Sequence, residues 1–242
     1  MSANLATALI TKLSVSNHLE GEDIRAIQGL RIREKHLGGR EVIVADGTRP
    51  GECCLISEGF AFRSKTTSDG ERQILSIHIP GEIPDLQSLH LRVMDHDLVT
   101  VTPCTLGFIS HDELWELSRL RPNLAAAFWR ETLIDGAIFR EWIVNVGRRE
   151  GAPRMAHLLV ELHARLKAIG RTRDGEFALP ITQTDLGDCL GLSVVHTNRV
   201  LQQLRKEGLV TLTRSEVHIL EHRRMEELAG FDPAYLHLSP SH

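Results

Sequence analysis

The 242-residue sequence predicts an α+β chain in three parts: an N-terminal β-barrel or jelly roll, one long helix, and a C-terminal winged helix-turn-helix. Three observations predict it. Glycines at 47, 51, 59, 70, 81 and 107 separate short runs of strand-forming residues. An unbroken helical pattern runs from Pro122 to Arg149, and residues 181–208 put apolar and small residues where two helices crossing over a tight turn need them. The expected domains are a β-roll sensor over 1–121, a dimerisation helix over 122–150 and the winged helix-turn-helix over 151–242.

In chain order, residues 16–31 have helical spacing through Leu19, Ile24, Ile27 and Leu30 and should cap the barrel. The runs EVIVA, CCLISEG, FAFRSK, QILSIHI, LVTVT and TLGFIS supply its strands. The helix opening at Pro122 would span about 42 Å at 1.5 Å per residue, too long for one small domain. Leu124, Phe128, Ile138, Trp142 and Val146 fall on one side, and Ala126, Trp129, Leu133 and Val144 nearly opposite. Both sides need a partner, one being the barrel and the other a second subunit; the row Leu124, Phe128, Ile138, Trp142 and Val146 is assigned to the subunit seam. Gly151 and Pro153 in EGAPR should break the helix and mark a hinge. MAHLLVELHARLKAIG then reads as an amphipathic helix, and RTRDGEFALP as a connecting hairpin.

In residues 181–208, Leu186, Leu190, Leu192 and Val200 make the shared core, Gly187 allows close approach of the second helix and Gly191 forms the turn. Ser193 can cap the second helix, which runs to Gly208. Its outward face offers Val194, Val195, Asn198, Arg199 and Gln202, a set suited to the major groove of double-stranded DNA. Arg pairs with guanine, Asn or Gln with adenine, and a valine packs on a thymine methyl. Thr182, Gln183 and His196, near helix N-termini, should hold phosphates. LVTLTRSEVHIL alternates around Arg214, Ser215 and Glu216, as a β-hairpin wing would.

The composition, 42% hydrophobic and 25% charged, is that of a soluble globular protein. No run approaches the roughly 18 apolar residues of a membrane span, and MSANLATALITKL lacks a signal peptide's basic start, so a cytoplasmic protein is expected with no membrane partner. The four cysteines, Cys53, Cys54, Cys104 and Cys189, show no CxxC spacing and should be buried thiols. The net charge of −4 is set against a local basic group of Arg199, Arg205, Lys206 and Arg214. His78, His90, His96 and His111 are isolated, and no HxH, GxSxG or HExxH occurs, so neither a metal site nor catalysis is expected. The competing reading is a cupin-like barrel that binds a small molecule or metal and has no DNA role.

The order of barrel, long helix, hinge and winged helix resembles the Crp/Fnr family of bacterial transcription regulators over almost the whole chain. ITQTDLGDCLGLSVVHTNRVLQQLRKEGLV carries the likeness most strongly, and RPNLAAAFWRETLIDGAIFREWIVNVGRREGAPR aligns without a gap with the dimer helix of the family's catabolite activator. The resemblance implies a cyclic-nucleotide-binding-like sensor, a homodimer reading an inverted repeat, RNA polymerase as a further partner, and a small-molecule effector. Three departures separate this chain from the family's best-known members. Val194 and Val195 stand where the catabolite activator has Arg and Glu. In PGEIPDLQSLHLRVMDHDLV the ribose-binding glutamate's place falls at Leu86, beside Asp85, and the phosphate-binding arginine's at Met94 or His96; Phe139 and Arg140 replace a Thr-Ser pair. No cysteine cluster precedes the barrel. Cyclic AMP and an iron-sulfur cluster are therefore not expected, and Asp85, Leu86, Asp95, His96, Phe139 and Arg140 remain the candidate pocket for an effector the resemblance does not identify. The PG(D/E)xxDL stretch followed by MDH is shared with a subgroup of these regulators.

Overall fold

A computed structural model describes residues 2–213 and 215–239, so Arg214 of the expected basic group lies outside the described residues. The chain divides into two compact units. One takes in the chain up to Thr67 with Leu75–Gly136, and the other Ser68–Ile74 with Ala137–Leu238.

The first unit opens with α1 (Ser2–Ser16) and α2 (Gly21–Gln28). The helix expected over 16–31 is α2 alone, shorter than expected: Asn17, His18 and Leu19 stand outside it, and the capping box between Glu20 and Asp23 starts it at Gly21, while α1 precedes the expected span. Seven strands follow: β1 (Arg33–Leu37), β2 (Val42–Val44), β3 (Glu52–Glu58), β4 (Ala61–Thr66), β5 (Arg72–His78, whose residues up to Ile74 belong to the second unit), β6 (Asp97–Thr100) and β7 (Cys104–Ser110). They form two sheets, ordered β1-β7-β3 and β2-β6-β4-β5, with the pairing non-sequential as in a jelly roll. Successive strand residues face opposite ways, and Cys53 and Cys54 show it. Cys53 joins a core with Leu5, Leu9, Ile27 and Phe128, whereas Cys54 joins one with Ile56, Met94 and Leu98. Burial pushes both thiols well up from their ordinary range, leaving them inert.

After α3 (His111–Leu120), α4 runs Pro122–Arg148 in one piece. Its two faces correct the expected seam. Leu124, Phe128, Ile138 and Trp142 are buried within the single chain and Val146 is half-buried. Leu124 and Phe128 belong to the α1–α2 core, and Trp142 donates to Glu161. The solvent-facing apolar residues are those opposite: Trp129 (70% exposed), Leu133 (59%), Ile143 (70%) and Val144 (44%). Periodicity shows that a helix has two apolar sides but not which one its own chain covers.

In the second unit, α5 (Gly151–Ala168) follows a break at Arg149 and Glu150, with Glu150 as its N-cap residue. Gly151 and Pro153 therefore open the new helix instead of ending the old one, because proline is tolerated in a first turn where amides have no partner. Nor is α5 amphipathic: every residue from Met155 to His163 is buried. Among its polar groups Glu161 is well satisfied, whereas the ring nitrogens of the buried His157 have no hydrogen-bond partner among the described residues. Glu161 accepts from Trp142 Nε1 at 3.0 Å, Tyr235 Oη at 2.7 Å and Arg165 at 3.3 Å. Burial pushes its carboxyl up, opposed by Arg165 and the two neutral donors.

Short strands β8 (Thr172–Arg173) and β9 (Glu176–Ala178) form the expected hairpin, then come α6 (Gln183–Leu190), α7 (Val194–Lys206), β10 (Val210–Leu212), β11 (Glu216–Ile219) and α8 (His222–Ala229). The wing strands pair antiparallel, Val210 opposite Ile219, and β9 adds to β11, giving one sheet ordered β10-β11-β9-β8.

Candidate nucleic-acid interface and effector residues

α6 starts at Thr182, whose hydroxyl accepts from the Asp185 amide at 3.1 Å while Asp185 accepts from the Thr182 amide at 2.8 Å. This reciprocal box satisfies two otherwise unpaired donors. The helix ends at Gly191 in the left-handed region, φ 61° and ψ 38°, where a side chain would be strained. A Cβ on Gly187 would sit 2.6 Å from the Leu192 carbonyl oxygen, so the turn closes only over glycine. Ser193 then caps α7, accepting from the His196 amide at 3.3 Å.

The buried face of α7 is Thr197, Val200, Leu201 and Leu204. Val194, Val195, Arg199 and Gln202 are exposed and Asn198 half-buried, on the remaining surface. Among the described residues Asn198, Arg199 and Gln202 make no hydrogen bond or ion pair within the chain. Thr182, Gln183 and His196 are also exposed, but they differ in freedom. The Thr182 hydroxyl is engaged with Asp185, and the His196 ring lies where a Cβ on Gly151 would be 3.0 Å from its Nε2. Of the basic group, Lys206 is exposed while Arg205 is turned to the Leu212 carbonyl of the wing.

A further arginine, not singled out from the sequence, holds the first reader helix. Arg72 places Nε 2.8 Å from Asp188 and a terminal nitrogen 2.8 Å from Asp185, while Gln73 donates to the Asp188 carbonyl at 2.5 Å. No local pattern marks this contact, which joins residues more than a hundred positions apart.

The candidate effector residues are used by the fold. Asp85 is fully buried; its Oδ1 accepts from the Cys54 amide at 2.7 Å, and Oδ2 has no hydrogen-bond partner among the described residues. Burial raises its carboxyl to about 7, the Cys54 amide and Arg63 pulling the other way. Leu86 lies in the α1–α2 core. Asp95 is exposed and bonds His96 Nδ1 at 2.7 Å, and Asp97 accepts from the Asp46 amide at 2.9 Å. Phe139, half-buried, and Arg140, exposed, fall in the second unit. Nearby, the buried Arg63 donates to the Pro84 carbonyl at 2.8 Å and to Asp135 at 2.6 Å. His78 is held between Ser76 and Glu82, His111 bonds Ser88, and His90 stacks edge-on against Trp115. Among the described residues no group of three His, Cys, Asp or Glu is arranged to hold a metal ion.

Two domain families match: a Crp-like helix-turn-helix domain over residues 153–228 and a cyclic nucleotide-binding domain over residues 34–120. The transcriptional activator protein anr of Pseudomonas aeruginosa is 29% identical over 213 residues, covering 86% of this chain and 85% of that protein. The chain belongs to the Crp/Fnr family of bacterial transcription regulators. It is a Crp/Fnr-type transcription regulator with a helix-turn-helix DNA-binding domain. The nitrogen fixation regulation protein FixK of Rhizobium meliloti is 29% identical over 186 residues, 77% of this chain and 81% of that protein. In fold, the solved structure of FixK2 from Bradyrhizobium japonicum matches with a TM-score of 0.75 at 22% identity, over 82% of this chain and 98% of that one. Within the Crp/Fnr sensor, the positions aligned with the ribose glutamate and one choice for the phosphate arginine are Leu86 and Met94, both core residues here. Neither side chain can donate to a nucleotide, and the Met94 thioether is at most a weak acceptor. No helix among the described residues is long and apolar enough to cross a membrane.

Proposed function

We propose that two copies of this chain pair along the exposed stripe of α4 and present two α7 helices to an inverted-repeat operator in double-stranded DNA. The observation that carries the reading is the α7 face, where Val195, Arg199 and Gln202 stand in solvent on a helix fixed by its cap and turn. Arg199 reads a guanine edge, Gln202 and Asn198 adenine, and Val194 and Val195 pack on thymine methyls. Free amides at the starts of α6 and α7, with Gln183, hold phosphates. The stripe Trp129, Leu133, Arg140 and Ile143, with Gly136 within it and Gly147 following, recurs every three or four residues as a helix-pairing seam does. RNA polymerase is the further partner, in the cytoplasm, and the sensor takes an effector other than a cyclic nucleotide.

Random-sequence selection followed by gel shift tests it. The selected site should be an inverted repeat with half-site centres about 34 Å apart. Arg199→Ala should cost about 1–3 kcal/mol and relax one base pair per half-site, whereas Gln183→Ala should weaken all sequences alike. An asymmetric site, or an unchanged base preference in Arg199→Ala, sinks the reading.

A further inference from the structure

A cavity of about 480 Å³ opens between the 3-10 turn Leu86–Leu89, α3 and the first half of α4. Its walls are mainly apolar and aromatic, Leu89, Trp115, Phe128 and Trp129 among them. No Asp, Glu, Lys or Arg lines it. The hydroxyls at its wall are already spent on their own helices: Ser118 donates to the Leu114 carbonyl at 2.7 Å and Thr132 to the Trp129 carbonyl at 2.6 Å. The polar contacts left to an occupant are the Gln87 side-chain oxygen, its amide nitrogen being paired with His96 Nε2 at 3.5 Å, and the His90 ring, which meets Trp115 edge-on at 4.9 Å. A volume of this size, aromatic walls and one or two polar groups are the attributes of a small-molecule site.

The geometry points to a binding site for an uncharged, flat aromatic molecule carrying one hydroxyl or amide. A charged ligand would find no counter-ion here and would lose its hydration unrepaid. Two indoles and a phenyl ring offer faces and edges to a fused ring system, and Gln87 or His90 can take the single polar group. None of the residues proposed to touch DNA takes part, so the site stands whether or not the operator reading does. Trp129 is both a wall of the cavity and a member of the exposed α4 stripe, so an occupant would touch the surface on which the second copy is proposed to pack.

The test uses the full chain and 2-naphthol as probe, followed by calorimetry and by tryptophan emission, since two of the three tryptophans line the cavity. Saturable binding of one probe per chain is expected, and 2-naphthoate, of the same shape but charged, should bind at least about tenfold more weakly. Ser118→Phe fills the cavity while giving up only a bond within its own helix, and should lower affinity by about tenfold or more with melting temperature and DNA binding unchanged. Ala125→Phe is the second filling variant should Ser118→Phe melt early. Unsaturable uptake, equal affinity for the two probes, or wild-type affinity in a folded filling variant overturns the site. Binding seen only in a monomeric Leu133→Glu chain overturns it as well, by giving the cavity to the second copy. Loss of DNA binding with probe binding intact counts against the operator reading alone.

Discussion

The recognition helix and the sensor interior spend polar side chains in opposite ways. On α7, the side chains of Asn198, Arg199 and Gln202 make no hydrogen bond or ion pair among the described residues, and the helix that carries them is fixed by its apolar side and its cap. Inside the sensor, Arg63 is tied to Pro84 and Asp135, Asp85 to the Cys54 amide, and His78 to Ser76 and Glu82. Burial, the larger cause, and Arg63 together hold His78 and His96 below the ordinary histidine range. A surface of unspent donors is available to a partner from outside. An interior of spent ones is part of the scaffold, and a ligand entering it would have to displace those bonds.

The sharpest way to break this contrast is on α4, where the two sides of one helix should fail differently. Leu133→Glu with Ile143→Glu, both on the exposed stripe, should leave folded monomers by light scattering and lower operator affinity by more than about 100-fold, since one half-site contributes much less than two. Phe128→Glu should instead unfold the sensor, because a buried unpaired charge costs several kcal/mol. The same distinction holds between a spent and an unspent residue of the second unit. Glu161→Ala strands the Trp142 and Tyr235 donors and removes an acceptor from Arg165, and should cost about 3–5 kcal/mol in urea melts, while Arg199→Ala should leave the melt unchanged.

Asp85 sharpens the comparison through pH. In the folded chain it keeps its proton to about pH 7, whereas its ordinary value is 3.8, so the folded state binds the extra proton between those values. Stability from this group therefore falls as pH rises from about 4 to about 7, by an amount on the order of a few kcal/mol. Asp85→Asn keeps an acceptor for the Cys54 amide, removes that slope and should be the more stable protein at pH 8. Gly187→Ala should cost about 1–3 kcal/mol, because the added methyl meets the Leu192 carbonyl and the turn backbone has to shift. DNA binding should weaken in gel shifts while the mass by light scattering stays that of wild type.

The reader was legible because its determinants are local. Thr182, Gly187, Gly191 and Ser193 each do the work their spacing announces, and the wing follows directly from the alternation after Gly208. The strand runs of the sensor were legible for the same reason. What escaped was long-range. The α1 helix shows little amphipathic contrast in its sequence, yet Leu5, Leu9 and Leu13 are nearly fully buried. α4 has two apolar sides, and only folding decides that Phe128 goes in and Trp129 stays out. In the pocket cassette, polar residue types were readable but their partners were not. The sequence shows an aspartate at 85; that it faces the backbone of β3 depends on a contact across 31 positions.

Thr182 and Ser193 carry a consequence for any mutational survey of this regulator. Both side chains stand at helix N-termini, where the proposed operator backbone would run, and both already accept a hydrogen bond from an amide three residues on. Alanine at either would cost about 1 kcal/mol of helix stability before DNA is considered. A screen that scores only promoter output would thus count these two among the operator-reading residues. Serine at 182 and threonine at 193 would preserve the output, because the survey would be measuring how well each helix begins rather than what it touches.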